Sequence, residues 1–162
     1  MLKYIGDFER IADHAVDILK SAEEMRDKEI SFSPEAAREM DVLMRAVEEI
    51  LTLTFRAFHE NDAQLASRVE PLEQVIDTLK EELRTRHILR MTKGECSAEA
   101  GFVWSDLLTS LERTADHCSN VAGCVMDIAR HQLSLHDTLR REKNGDGDFD
   151  AQYDAYAAEF SL

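Results

Sequence analysis

Three Glu-x-x-x-Asp pairs run through a chain that holds 33 acidic residues: Glu9/Asp13, Glu73/Asp77 and Glu112/Asp116. A spacing of four sets both carboxylates on one face of a helix, about one turn apart. Each acid directly follows an apolar residue of a helical stripe: Phe8 and Ala12, Leu72 and Ile76, Leu111 and Ala115. That register places the acids at the edge of a core, where helices meet. Two such pairs on neighbouring helices offer four carboxylates to one groove. Gathered carboxylates repel unless a cation joins them, and hard cations take oxygen ligands of this kind. A solvated acidic face yields the same spacing, so one pair alone carries little weight. Three pairs in one register point to metal, with Glu9, Asp13, Glu73, Asp77, Glu112 and Asp116 as candidate ligands.

Other chemistry is less well supported. His14 and His117 follow the aspartates and point about 100° further round the helix, which suits a surface or capping role better than ligation. Arg10 and Arg113 read as exposed ion-pair partners of the acids. The run Asp146, Asp148, Asp150 starts like an EF-hand loop, but Ala151 stands where glycine is needed and Ala157 where the closing glutamate belongs. A ferritin-like di-iron site needs Glu-x-x-His, which no stripe position supplies. No nucleophile elbow, P-loop or dinucleotide glycine pattern appears. Cys96, Cys118 and Cys124 are an odd number without a close pair, which fits a reduced compartment with no disulfide framework.

The elements that must hold these groups are helices. The first is expected over about residues 2–28, with Ile5, Phe8, Ala12, Ala15, Leu19 and Ala22 as its seam. Ser33 reads as an N-cap with Pro34 at the first helical position. The second helix runs to about 60, with the stripe Met40, Leu43, Val47, Ile50, Thr54 and Phe58. Asn61-Asp62 breaks the chain, and Asp62 caps a third helix over about 63–92, whose seam is Leu65, Val69, Leu72, Ile76, Leu79 and Leu83. Pro71 lies inside it and predicts a kink instead of a break, because the seam stays in phase. Lys93-Gly94 ends it. Ser97 caps a fourth helix reaching about 141, with Trp104, Leu108, Leu111, Ala115, Cys118, Ala122, Val125 and Ala129 as its seam. Asn144 to Asp150 reads as a polar linker. A last segment sets Phe149, Tyr153, Tyr156 and Phe160 on one helical face, as a short docked helix or a disordered tail.

Glu9 to His14 (ERIADH) recurs as Glu112 to His117 (ERTADH), five of six residues identical at an offset of 103. The seams superpose as well: Ile5, Phe8, Ala12, Ala15 and Leu19 match Leu108, Leu111, Ala115, Cys118 and Ala122. The period holds three helices. Residues 1–30 then form the last helix of an incomplete first repeat, 33–141 a complete second repeat, and 142–162 a linker with a short amphipathic segment. The fold class is all-α, an antiparallel helical bundle.

With 19 Lys and Arg against 33 Asp and Glu, the net charge is −14. So acidic a surface repels phosphate backbones and anionic headgroups, which argues against nucleic acid and against a direct lipid anchor. Only 6 Gly and 2 Pro favour long helices. No apolar run is long enough to span a bilayer, and the N-terminal stretch lacks a signal-peptide core.

The two hexamers, the EQVID stretch at Glu73 to Asp77, and the passage from LRTRHILRMTKGECSAEAG into FVWSDLLTSLERTADH resemble the PhoU family over roughly residues 1–135. The opening YIGDFERIADHAVDI is most similar to the PhoU-like C-terminal domain of bacterial sodium-phosphate cotransporters. The resemblance implies tandem three-helix bundles and a regulatory, non-catalytic role in phosphate transport and homeostasis. It implies a cytoplasmic place at the inner face of the membrane, within an integral membrane parent. The partners implied are the transporter's membrane domain or transport and signalling proteins. It also implies multinuclear iron or zinc clusters on the Glu/Asp-x-x-x-Asp motifs, manganese or magnesium also suiting the oxygen donors. Carried over, one cluster uses Glu73, Asp77, Glu112 and Asp116, and the other uses Glu9 and Asp13 with ligands from helices this chain lacks. A carboxylate-bridged metalloenzyme and a metal-free helical scaffold are the competing expectations. The apolar face that the incomplete repeat leaves open predicts a homodimer through the first helix, with Glu9 and Asp13 near the contact.

Overall fold

The computed structural model describes the backbone of residues 2–133 and 147–161 and the side chains of 5–130 and 151–161. Its elements are α1 (Leu2–Asp27), α2 (Pro34–Glu60), α3 (Ala63–Ala66), α4 (Val69–Thr92), α5 (Ala98–Leu133) and α6 (Gly147–Glu159). Local chemistry fixes the ends. Ser33 Oγ accepts from the Ala36 amide, Asp62 from those of Gln64 and Leu65, and Ser97 Oγ from that of Ala100. Each cap satisfies donors that the first helical turn leaves unpaired. Asn61 stops α2 in the left-handed region at φ 51°, and Gly94 at φ 73° turns the chain out of α4.

Long helix α5 is the axis of the bundle. It packs against α1, α2, α3 and α4, while α6 rests on α4. Its expected seam is buried from Trp104 to Val125, with Ala129 half-buried. On α4, Val69, Leu72, Ile76, Leu79 and Leu83 are buried, so α4 meets α5 along Leu72/Ile76 and Leu111/Ala115 as the register required. The α2 stripe is buried from Met40 to Thr54, and Phe58 lies more open. Tyr156 and Phe160 are buried and Tyr153 half-buried, and Arg68 Nη2 donates to the Tyr156 hydroxyl at 3.2 Å. The last segment is therefore a docked helix. Side-chain placement of Phe149 lies outside the described residues.

Three expectations are corrected. Pro71 accompanies a break: the chain leaves helix at Ser67 and Arg68, and Pro71 becomes the third residue of α4. In a first turn its missing N–H costs nothing, since that donor has no partner within the helix. The expected linker also ends early, because Gly147 to Asp150 are helical; its start and the far end of the fourth helix lie outside the described residues.

The third correction is the facing of α1. Ile5, Ala12, Ala15, Leu19 and Ala22 are exposed, whereas Ile11 and Ser21 are buried and Phe8, His14, Ile18 and Met25 half-buried. The helix has two apolar stripes, and the second one faces α5. Only Phe8 serves both, stacking on Phe55 at 5.6 Å and meeting Phe58 edge-on at 5.0 Å.

Candidate metal centre

The register of α4 against α5 sets Glu73, Asp77, Glu112 and Asp116 along one groove. Lys80 marks one end: its ammonium lies 3.9 Å from Asp77 Oδ1, 3.2 Å from Glu81 Oε1 and 3.6 Å from Glu112 Oε1. Burial works against the charge of Lys80, yet Glu81, Glu112 and Asp77 outweigh it and hold its pKa above the ordinary lysine value. Glu73 marks the other end. Burial pushes its carboxyl up to about 7, opposed by a hydrogen bond from Gln74 Nε2 and reinforced by the charges of Glu70, Asp116 and Asp77. Three neighbouring acids thus crowd a half-buried fourth.

Glu70 is an acid that motif reading missed. It lies one turn before Glu73 and accepts a hydrogen bond from Ser119 Oγ on α5. Arg113, exposed, stands 3.9 Å from both Glu112 Oε2 and Asp116 Oδ2, the loose surface pair expected of it. Glu9 and Asp13 are exposed on α1, which packs on α5 and makes no packing contact with α4 among the described residues. They are not brought to the groove.

The donor set is all oxygen and strongly anionic, which fits a hard cation by type and charge. Among the described residues no three His, Cys, Asp or Glu side chains converge as a metal cage, so the groove gathers carboxylates without closing on a point.

Two further clusters escaped sequence reasoning. His14 and His117, the last residues of the two hexamers, stack across the α1–α5 contact with centroids 5.7 Å apart. Burial lowers the His14 pKa, helped by the charges of His117 and Arg113 against those of Asp17 and Asp13. Their identical places in the repeat were the available signal. Between α2 and α4, buried Glu39 accepts from Arg90 Nη1 at 2.8 Å and Arg86 Nη1 at 3.1 Å. The Arg90 guanidinium lies 5.2 Å over Trp104, on which His87 stacks. A cleft of about 300 Å³ opens there, lined by His87, Arg90 and Cys96. Cys118 is a core thiol, pushed up to about 12 by burial.

The described residues contain no helix long and apolar enough to cross a membrane. A protein of Thermotoga maritima named phosphate-specific transport system accessory protein PhoU homolog 1 is 28% identical over 145 residues, which are 90% of this chain. The chain spans 61% of that relative's length. No solved structure matches. The family model described as PhoU domain matches residues 41–125, more than half of the chain, from within α2 across the carboxylate groove to the buried end of the α5 seam. With that match and the twice-repeated acidic hexamer, the chain belongs to the PhoU family.

Proposed function

We propose that this chain is a non-catalytic regulatory module of phosphate transport whose α4–α5 groove binds divalent or trivalent metal ions through Glu73, Asp77, Glu112 and Asp116. The crowding at Glu73 carries the reading. A half-buried carboxyl is opposed by desolvation and by three acids, and its pKa rises to about 7 in consequence. A cation bound in the groove offsets both penalties at once. Lys80 then serves as the counter-ion of the metal-free state at the Asp77–Glu112 end. Iron or zinc is the assignment by family resemblance.

The phosphate-transport part is supported by the name of the Thermotoga maritima relative, an accessory protein of a phosphate-specific transport system. By the likeness of the opening to cotransporter C-terminal domains, the module works at the cytoplasmic face of the membrane beside a transporter's membrane domain. Ile5, Val16 and Leu19 stand open on α1, while the repeat equivalents of Ile5 and Leu19 on α5, Leu108 and Ala122, are buried. We assign that face to a second copy in a two-fold pair. Sedimentation as a clean monomer at low micromolar concentration refutes this assignment.

Elemental analysis of protein purified without chelator tests the metal reading. The expected result is stoichiometric iron or zinc that falls in Asp116→Asn and Glu73→Gln. Metal content that is negligible, or indifferent to both substitutions, favours the second reading, a metal-free scaffold in which Lys80 and Arg113 balance the acids. In cells, Asp116→Asn should alter phosphate uptake if the groove regulates transport.

A further inference from the structure

Lys80 divides the α4–α5 groove. On one side lie Asp77 and Glu112; on the other, where α4 continues to Arg84 and α5 is met at Thr109 and Ser105, a cavity of about 340 Å³ opens between the same two helices. Its apolar walls are Trp104 and Leu108, both buried, with Ile88 and Met91, which stand 52% and 41% exposed. Gly101 lets Met91 and His87 lie close against α5: a Cβ there would meet Met91 Sδ at 3.0 Å and His87 Nε2 at 3.3 Å. The charge of the cavity is the reverse of the chain's. In a protein of net charge −14, its lining holds Lys80 and Arg84 and no acid. The cleft beside Cys96 differs, with Glu29, Glu95 and Glu99 against Lys28 and Arg90. Lys80 is already engaged by Asp77, Glu81 and Glu112, whereas Arg84 is 64% exposed and its Nη1 stands a loose 3.9 Å from Glu81 Oε1. Burial and the charge of Arg90, against that of Glu39, hold the His87 pKa below the ordinary histidine value, so near neutral pH this wall is uncharged. Arg84 is thus the cation available to a ligand, since an ion pair so exposed is exchanged at little cost.

We propose that this cavity binds a small amphipathic anion, its apolar body against Trp104, Leu108, Ile88 and Met91 and its carboxylate or phosphate head on the Arg84 guanidinium. The volume lies at the small end of the range for small-molecule sites, about 300–1,000 Å³, and the lining has their usual make-up, an apolar surface with a few polar groups that fix orientation. A guanidinium meets such heads through two parallel N–H···O bonds, which a neutral head group does not offer. Exposed apolar side chains gathered round a cavity, as Ile88 and Met91 are here, are a mark of a binding groove. The site is separate from the carboxylate groove, with which it shares only the Lys80 wall, and it requires no metal.

Trp104 is the single tryptophan of the chain, so its fluorescence reports on the cavity. The full chain, treated with chelator, is titrated near neutral pH with decanoate, with decanol and with inorganic phosphate. Because metal is absent throughout, the outcome is independent of the metal reading. The expected result is a saturable change in Trp104 emission with decanoate at an affinity about tenfold above that for decanol, the gain of one hydrogen-bonded charge pair, and no change with phosphate alone. Arg84→Ala should bring decanoate down to the level of decanol while decanol binding stays as it was, and Arg84→Lys should restore part of the preference. The unchanged decanol binding shows that the variant still folds. Equal affinities for decanoate and decanol, a preference that survives Arg84→Ala, saturation by phosphate alone, or no response to any probe overturns the proposal. So does a response to phosphatidylglycerol vesicles with none to decanoate, which assigns the patch to a lipid surface, and so does an emission that changes on dilution alone, which assigns it to a second copy.

Discussion

Glu73→Gln should stabilise the metal-free protein at pH 8 while lowering its metal content. Burial and neighbouring acids raise the Glu73 carboxyl from 4.5 to about 7. At about 1.4 kcal/mol per pH unit, this rise bounds the cost of ionising Glu73 in the folded state at roughly 3 kcal/mol. Screening by solvent at a half-buried site reduces the expected gain to about 1–2 kcal/mol. The pH dependence has a fixed sign. Below pH 4.5 the carboxyl is protonated in both folded and unfolded chains, and no penalty exists. Between 4.5 and 7 the unfolded chain ionises first, so stability falls as pH rises; above 7 the full penalty is present. Glutamine never ionises, and its carbonyl still accepts from Gln74. Urea denaturation of chelator-treated wild type and variant should therefore give curves that nearly coincide at pH 4.5 and separate by pH 8, the variant being the more stable. Coincident curves at pH 8, or a difference that shrinks as pH rises, would refute the reasoning that carboxylate crowding strains this groove.

Leu111 is 4% exposed between α4 and α5, so Leu111→Ala should cost about 2–5 kcal/mol by chemical denaturation. Glu39 is 5% exposed beneath Arg86 and Arg90, and Glu39→Ala should cost about 3–5 kcal/mol because a buried guanidinium loses its counter-charge. Phe160 is 3% exposed against the bundle; Phe160→Ala should cost about 3–5 kcal/mol, and far-UV circular dichroism should show loss of helix if α6 detaches.

Much of the fold was legible because local and periodic signals agreed. Ser33, Asp62 and Ser97 cap helices where the sequence placed them, and the stripes from Met40 to Thr54 and from Trp104 to Val125 are core. Pro71 was misjudged because periodicity carries no penalty for a short interruption: the seam from Leu65 to Val69 stays in phase across two non-helical residues. Acid placement was legible where the seam was right. Glu73, Asp77, Glu112 and Asp116 share a groove because Leu72, Ile76, Leu111 and Ala115 are buried as read. The Glu39–Arg86–Arg90 cluster was not legible. Its members lie 47 and 51 residues apart and follow no motif, and only the antiparallel pairing of α2 with α4 joins them.

The facing of α1 shows why one sequence pattern supported two answers. Alternating steps of three and four fit the stripe through Ile5, Ala12 and Leu19, and equally the stripe through Ile11, Ile18 and Met25. The repeat argued for the first, because its equivalents on α5 are core. Those equivalents are buried by α2 and α4, and α1 has no such pair of helices among the described residues. Its main partner is α5, the other copy of the repeated helix, with Phe8 alone shown reaching Phe55 and Phe58 of α2. On α5 the face toward α1 carries Ser110, Thr114 and Val121 beside His117; on α1 the face toward α5 carries Ile11, Ile18 and His14. Each histidine lies one residue past the acid of its hexamer, at about 100° round the helix. The step that aims Asp116 at the α4 groove therefore aims His117 at α1, and the same offset carries His14 to meet it while Glu9 and Asp13 turn outward. The repeated hexamer thus serves two faces on α5, carboxylates toward α4 and the imidazole toward its copy, whereas on α1 the imidazole meets that copy and the carboxylates face solvent.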